Sequence, residues 1–193
     1  MRRVLTDGAP GTEFWREFEN FEHSAWRWEQ QPAYYIGYEH EQFDKFLAGH
    51  PEPPTESEDL GDWMRQVELH VGQGKTYGRV RVVETPPTDY QRWMRWMDRW
   101  NLAAGEDIKY LSRAGARNAG IIPTVGPDDW WLFDDRRLVL MHHDDIGRRI
   151  KVVAIEDEPE VAKALEWRRR AIAAAEAEMT QAPMHGGTPC AGR

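Results

Sequence analysis

The sequence predicts an α/β or α+β fold: a small mixed sheet flanked by helices, with a helical, aromatic-rich N-terminal segment and a long C-terminal helix. Three stretches carry that expectation. Tyr77 to Glu84 sets Val80, Val82 and Val83 among Arg79 and Arg81, a strand pattern. Asp89 to Trp100 repeats Trp93, Trp96 and Trp100 at three- and four-residue steps, the period of a helix. Pro159 to Met179 is Ala-rich and aligns Val161, Ala164, Leu165, Arg168, Ile172 and Ala175 along one side. Alternating strands and helices of this kind give a sheet covered by helices.

Taken in order, residues 1–12, with Gly8, Pro10 and Gly11, read as a flexible arm. Thr12 opens a first helix bearing Phe14, Trp15, Phe18, Phe21 and Trp26, and Pro32 closes that region. Ala33 to Tyr38 reads as a short aromatic strand and Glu39 to Leu47 as an amphipathic helix ending at Gly49. Residues 50–61 form an acidic loop with three prolines, and Trp63 to Val71 a further helix. After the Tyr77 strand, Thr88 caps the Trp/Arg helix, which Gly105 ends. Ile108 to Leu111 is a strand and 112–128 a Gly/Pro loop. Trp130 to Phe133 and Leu138 to His142 form a hairpin, and Ile150 to Ile155 follows the turn at Gly147. The chain is thus one domain over 13–179, mostly helical through 76 and strand–helix–strand–hairpin–helix after it, with a disordered tail at 180–193.

Hydrophobic residues at 40% and charged residues at 30% of 193 suit a globular core. No apolar run reaches the ~20 residues of a membrane helix, and the start lacks the apolar stretch of a secretory signal. A single cysteine, Cys190, excludes an internal disulfide and a Cys-rich zinc site, so a cytoplasmic location is expected. A net charge of -8 argues against a general nucleic-acid coat, though not against a local basic patch.

From Tyr77 onward the sequence resembles an actinobacterial family of domains of unknown function. The resemblance rests on Arg79-Val-Arg-Val-Val83, Thr88-Asp-Tyr90, Ala104-Gly-Glu-Asp-Ile108 and Trp130-Trp-Leu-Phe-Asp-Asp135, then the Gly147 turn and the final helix. Looser matches at Tyr38-Glu39, Phe43 to Gly49 and Trp63 extend it over most of 14–178. Members of that family are often found beside helix-turn-helix regulators, which implies a protein partner. The order of elements is also distantly similar to a phospholipase-D-like half used as a sensor. The catalytic His-x-Lys of that fold is missing here, so the likeness implies no phosphodiester chemistry.

Two sets of residues invite function. Arg79 and Arg81 share a strand face, and Arg92, Arg95 and Arg99 run beside the Trp stripe on the helix. Together with Trp96 they suit stacking of a ring and pairing with an anion. Burial of the Trp rings against the sheet is the competing reading, and Arg79 and Arg81 can instead pair with Glu84 or Glu106. Arg79, Arg81, Arg92, Arg95 and Trp96 are therefore the candidate binding residues, for a protein partner or a small anionic or aromatic ligand. The rival is an enzyme using His142, His143, Asp134 and Asp144. On a strand neighbouring side chains diverge, and acids at strand ends more often satisfy turn backbone. The spacing fixes no metal site and implies no cofactor. Gly72-Gln-Gly-Lys-Thr76 lacks the spacing of a phosphate loop and reads as a turn. Arg168 to Arg170 reads as a solvated helix face.

Overall fold

The computed structural model describes residues 1–7 and 11–181. One mixed sheet runs through it, built from β1 (Arg2–Leu5), β2 (Ser24–Glu29), β3 (Thr76–Val83), β4 (Glu106–Ser112), β5 (Asp129–Phe133), β6 (Arg137–His143) and β7 (Arg149–Ile155). The strand order is β1-β7-β6-β5-β2-β3-β4. β2, β3 and β4 are parallel, while every pairing from β2–β5 outward to β1 is antiparallel. The helices are α1 (Glu13–Asn20), α2 (His40–Leu47), α3 (Glu58–Gly72), α4 (Asp89–Ala103), α5 (Arg113–Asn118) and α6 (Glu158–Gln181).

Strand alternation sorts the sheet residues between two layers. Trp26, Trp28, Val80, Val82, Trp130 and Leu132 face α5 and α6, where Ala116, Ala164, Ala171 and Ala175 let the helices approach closely. Ala25, Tyr77, Trp131, Phe133 and Val139 face the other way, against Phe14 and Phe18 of α1 and Val67 of α3. Phe18 meets Trp63, Trp131 and Phe133 edge-on with ring centroids 5.4, 5.0 and 5.2 Å apart. A third cluster of Tyr34, Leu60, Tyr90, Trp93 and Met97 joins α4 to α2, α3 and the segment before them.

Several sequence expectations hold. α4 begins with a full capping box, Thr88 with Gln91, and stops at Gly105 with φ 99°. The β5–β6 turn places Asp134 and Asp135 at φ 51° and 56°, the left-handed pair of a tight hairpin. Others need correction. The expected flexible arm contains β1, which pairs with β7. The first helix ends at Asn20, and Trp26 lies on β2 instead, because Ser24 to Glu29 alternates with period two. Ala33 to Tyr38 forms no strand, only an irregular segment and a 3-10 turn at Gly37–Glu39. The acidic loop is shorter than expected, holding a 3-10 turn at Pro54–Glu56 before α3 starts at Glu58. The Gly/Pro loop contains α5, capped by Ser112. The part read as mostly helical also contributes β2 to the same sheet. Of the expected tail, 180 and 181 close α6, and the rest with Cys190 lies outside the described residues. Among the described residues no helix is long and apolar enough to cross a membrane.

Candidate functional site

Parallel pairing of β2 with β3 sets Arg27 beside Arg79 and Glu29 beside Arg81. Pairing of β3 with β4 brings Tyr110 beside Arg81, with Glu106 beside Tyr77. All of these lie on the sheet face covered by α3 and α4, where charges must pair to be tolerated. Glu29 collects three guanidinium groups: Arg27 at 3.3 Å, Arg79 at 3.3 Å and Arg81 at 3.0 Å. Arg79 also donates to Glu106 at 2.6 Å, and Arg81 lies 3.1 Å from Asp98 of α4. Arg81 is within ion-pair reach of both acids, yet none of its buried N–H groups is aligned for a hydrogen bond in the protein.

Tyrosines extend the network. Tyr34 donates to Asp129, Tyr110 to Asp98, and Tyr90 to Glu39 at 2.5 Å. Burial alone raises the pKa of Glu29, but Arg27, Arg81 and Arg79 outweigh it and hold the group at about 2. Burial prevails at Asp129 and Glu39. Asp129 is pushed up to about 6 despite Arg27 and Tyr34, and Glu39 up to about 7 despite the Tyr90 bond. Glu106 also moves upward through burial, against Arg79 and Arg81. At the carboxyl ends of β2, β3 and β4 the network opens into a recess walled by Glu29, Tyr34, Arg81, Tyr90, Met94 and Tyr110. Carboxyl ends of parallel strands are where α/β folds bind ligands. Its cavity is about 20 Å³, space for about one water rather than a substrate.

The structure divides the candidate binding residues. Arg79 and Arg81 are buried in this network, Arg79 with Glu106 as one of the two expected alternatives; Glu84 pairs instead with Arg113. The Trp stripe also splits. Trp93 is fully enclosed beneath α2, 5.5 Å from Phe43 and 5.3 Å from Tyr90. Trp96 and Trp100 are partly exposed, with ring centroids 4.7 Å apart and planes at 60°. α2 is eight residues long and covers α4 only from Tyr90 to Trp96, which explains the split. Around that pair Arg92, Arg95 and Arg99 are exposed. Arg99 lies 4.8 Å over Trp96 and 4.3 Å over Trp100, and Arg95 4.3 Å over Tyr110. Arg92 pairs with Asp89 at 2.5 Å, whereas among the described residues Arg95 and Arg99 have no acidic partner. Tyr110 thereby links the surface arginine to the buried network through Asp98 and Arg81.

The residues of the enzyme alternative are not brought together. Asp134 accepts from the backbone N–H groups of Glu22, His23 and Ser24 at 2.8, 2.7 and 3.0 Å. Asp144 accepts from those of Ile146 and Arg148 at 3.1 and 2.8 Å, and both acids are turn builders. His142 and His143 point to opposite sheet faces, His142 to Asp128 at 2.9 Å. His143 turns toward the network, its ring 5.4 Å from Tyr34, with its pKa lowered to about 4 by burial and then by Arg27 and Arg149. Its Nδ1 is buried without a partner. Among the described residues no three His, Cys, Asp or Glu side chains are placed to hold a metal ion. Lys75 of the Gly-Lys-Thr stretch donates to the carbonyl of Phe21 at 2.7 Å, as part of a turn.

Sequence reasoning missed Arg27, Glu29, Tyr34, Glu39, Asp98, Glu106 and Asp129 as one group. The usable signal was Trp26-Arg-Trp-Glu29: read as a strand, it offers Arg27 and Glu29 to the Arg79 and Arg81 face.

A family model described as a domain of unknown function (DUF6879) matches residues 12–180. The chain belongs to that family. The matched span includes the whole buried network and α4, and leaves out β1. Comparison with curated proteins returns no match.

Proposed function

We propose that this DUF6879 domain is a non-enzymatic binding module, cytoplasmic and regulatory, whose outer α4 face docks an acidic protein partner. A helix-turn-helix regulator of actinobacterial type is the partner class implied by the sequence resemblance. One observation carries the reading: Trp96 and Trp100 stay partly exposed, with Arg95 and Arg99 held on aromatic rings and unpaired with any described carboxylate. Tryptophan and arginine together are the residues that dominate interface energies. Stacking also fixes the guanidinium groups in advance, which lowers the entropy lost on docking. Trp93, Arg79 and Arg81 lie inside and meet no partner; Trp93 packs α4 against α2, and Arg81 pairs with Asp98 of α4.

The test is a thermal-shift and titration series with inorganic phosphate, ATP and poly-glutamate, on wild type and on the pair Arg95→Glu, Arg99→Glu. Poly-glutamate should bind wild type and lose at least about tenfold in affinity on the variant, at a melting midpoint changed by less than about 3 °C. Binding left unchanged by both reversals sinks the assignment of this surface. A shift with ATP or phosphate alone would favour a small anionic ligand.

A second reading, acid–base catalysis, draws support from the split between Glu29 at about 2 and Asp129 and Glu39 at about 6 and 7. It would employ those carboxyls rather than the His142 and His143 set. It also requires the recess to widen well beyond about 20 Å³.

A further inference from the structure

Away from α4, the far end of the sheet carries a groove of about 330 Å³ lined by Arg2, Arg3, Val4, Leu140, His142, Lys151 and Val153. In a chain of net charge -8, its lining holds four basic residues, three apolar ones and no acid. Register explains the layout. Val153 pairs with Val4 on one side and Leu140 on the other, making an apolar floor three strands wide. Arg2 stands beside Ile155 at one end, and Lys151 beside His142 at the other. Arg3 pairs with Glu13 and His142 with Asp128, but among the described residues Arg2 and Lys151 have no carboxylate partner. Val4 is 58% exposed, an apolar side chain at the outer edge of the sheet face whose inner part α5 and α6 cover.

Among the described residues no strand pairs with the outer edge of β1 beside this groove. Glu156 N–H donates to Met1 O at 3.0 Å, and the register continues Arg3 with Ala154 and Leu5 with Val152. In an antiparallel ladder the bonded positions alternate. Met1, Arg3 and Leu5 therefore bond to β7, while the N–H and C=O groups of Arg2 and Val4 point away from it. The same two residues that offer backbone groups outward also present their side chains to the groove.

We propose that β1 is a docking edge for an extended acidic segment of a partner protein, added as a further strand against Arg2 and Val4. Strand addition takes affinity from the backbone and specificity from alternate side chains. Lys151 is four residues along β7 from the position that pairs with Arg2, about 13 Å at strand rise. The partner side chains reaching the groove fall at every second residue, so the favoured pattern is acidic–x–apolar–x–acidic. Its carboxylates meet Arg2 and Lys151, and the middle residue covers the exposed Val4. A second copy of this chain fits poorly, because pairing β1 with β1 would crowd four arginines along one short ladder. This edge is distinct from the α4 face and does not depend on it.

The test is fluorescence anisotropy with a labelled Ser-Glu-Ser-Val-Ser-Glu-Ser peptide, whose facing pattern reads alike in either strand direction. Arg2→Glu with Lys151→Glu should weaken binding at least about tenfold. Val4→Pro removes an outward N–H and alters the Val4 side chain, changes that an edge strand tolerates, and should weaken it as well. Circular dichroism melting shows that each variant is folded, and Arg95→Glu with Arg99→Glu should leave this binding unchanged. No binding at peptide concentrations to about 1 mM overturns the proposal. So does equal binding of the Lys-for-Glu peptide. A third adverse outcome is phosphatidylserine vesicles competing for the site with Val4→Pro having no effect, which would make it a charged membrane surface instead.

Discussion

Beneath α5 and α6 the sheet buries Trp28, Val80, Leu132 and Leu138 in one apolar cluster. One residue out of phase on the same strands, the opposite face encloses Arg27, Glu29, Arg79 and Arg81. The two layers share a backbone and differ in what holds them together. The apolar layer gains free energy for every ring it removes from water. The charged layer gains little from burial, because desolvating ions offsets most of their attraction. What it acquires is a fixed arrangement, in which each guanidinium has a defined acid and α4 is tethered through Asp98. That difference sets an apolar layer under α5 and α6 and, on the other face beside the aromatic cluster of α1 and α3, a charged patch that fixes the geometry behind α4.

The largest effects come from breaking either layer. Leu138→Ala and Glu29→Ala should each cost about 2–5 kcal/mol in urea unfolding, the first through a cavity and the second by stranding three guanidinium groups. Arg81→Met separates the two causes. Combined with Glu29→Ala it should fall short of additivity by about 1–3 kcal/mol, while with Leu138→Ala the costs should add to within about 0.5 kcal/mol. Additivity in both pairs would mean that the charged layer is no network.

An intermediate effect concerns pH. Glu39 is held at about 7, so the folded protein binds a proton there that the unfolded chain has released above the ordinary carboxylate range. Its contribution is present below about pH 4.5 and lost as the pH rises to about 7. Glu29, held at about 2, behaves oppositely: its contribution is present at neutral pH and lost as the pH falls toward 2. Glu39→Gln keeps an acceptor for Tyr90 and should stabilise the protein at pH 8 relative to pH 4.5 by up to about 3 kcal/mol. Urea midpoints of wild type and variant at the two pH values check this, and the wild-type comparison removes the opposing contribution of His143. The smallest expected effect is at the start of α4, where Thr88→Ala removes half of the capping box and should cost about 1 kcal/mol by thermal unfolding.

Where hydrophobic period and turn chemistry agreed, the elements were legible in the sequence: β3, α4, the Asp134–Asp135 hairpin, β7 and α6 all fall where the residues place them. β2 was not, because Trp26 and Trp28 follow a run of helical aromatics and read equally well as its continuation. That one misreading hid the network, since Arg79 and Arg81 look like free surface cations until Glu29 is set beside them. The shared face of the two arginines was visible in their spacing, but their burial depends on Asp98 and Glu106, contacts that only tertiary structure brings near. Trp93 and Trp96 are likewise indistinguishable by period, and only the short reach of α2 tells them apart.

β1 has a consequence for the order of events during synthesis. Its register partners on β7, residues 152–155, emerge some 150 residues after it. Closing so long a loop comes late, after the parallel β2–β3–β4 unit and the hairpins have begun to assemble. Through that interval the first strand waits with both edges open, a state in which a less charged segment would invite association between nascent chains. Two adjacent arginines on a four-residue strand keep that waiting period safe.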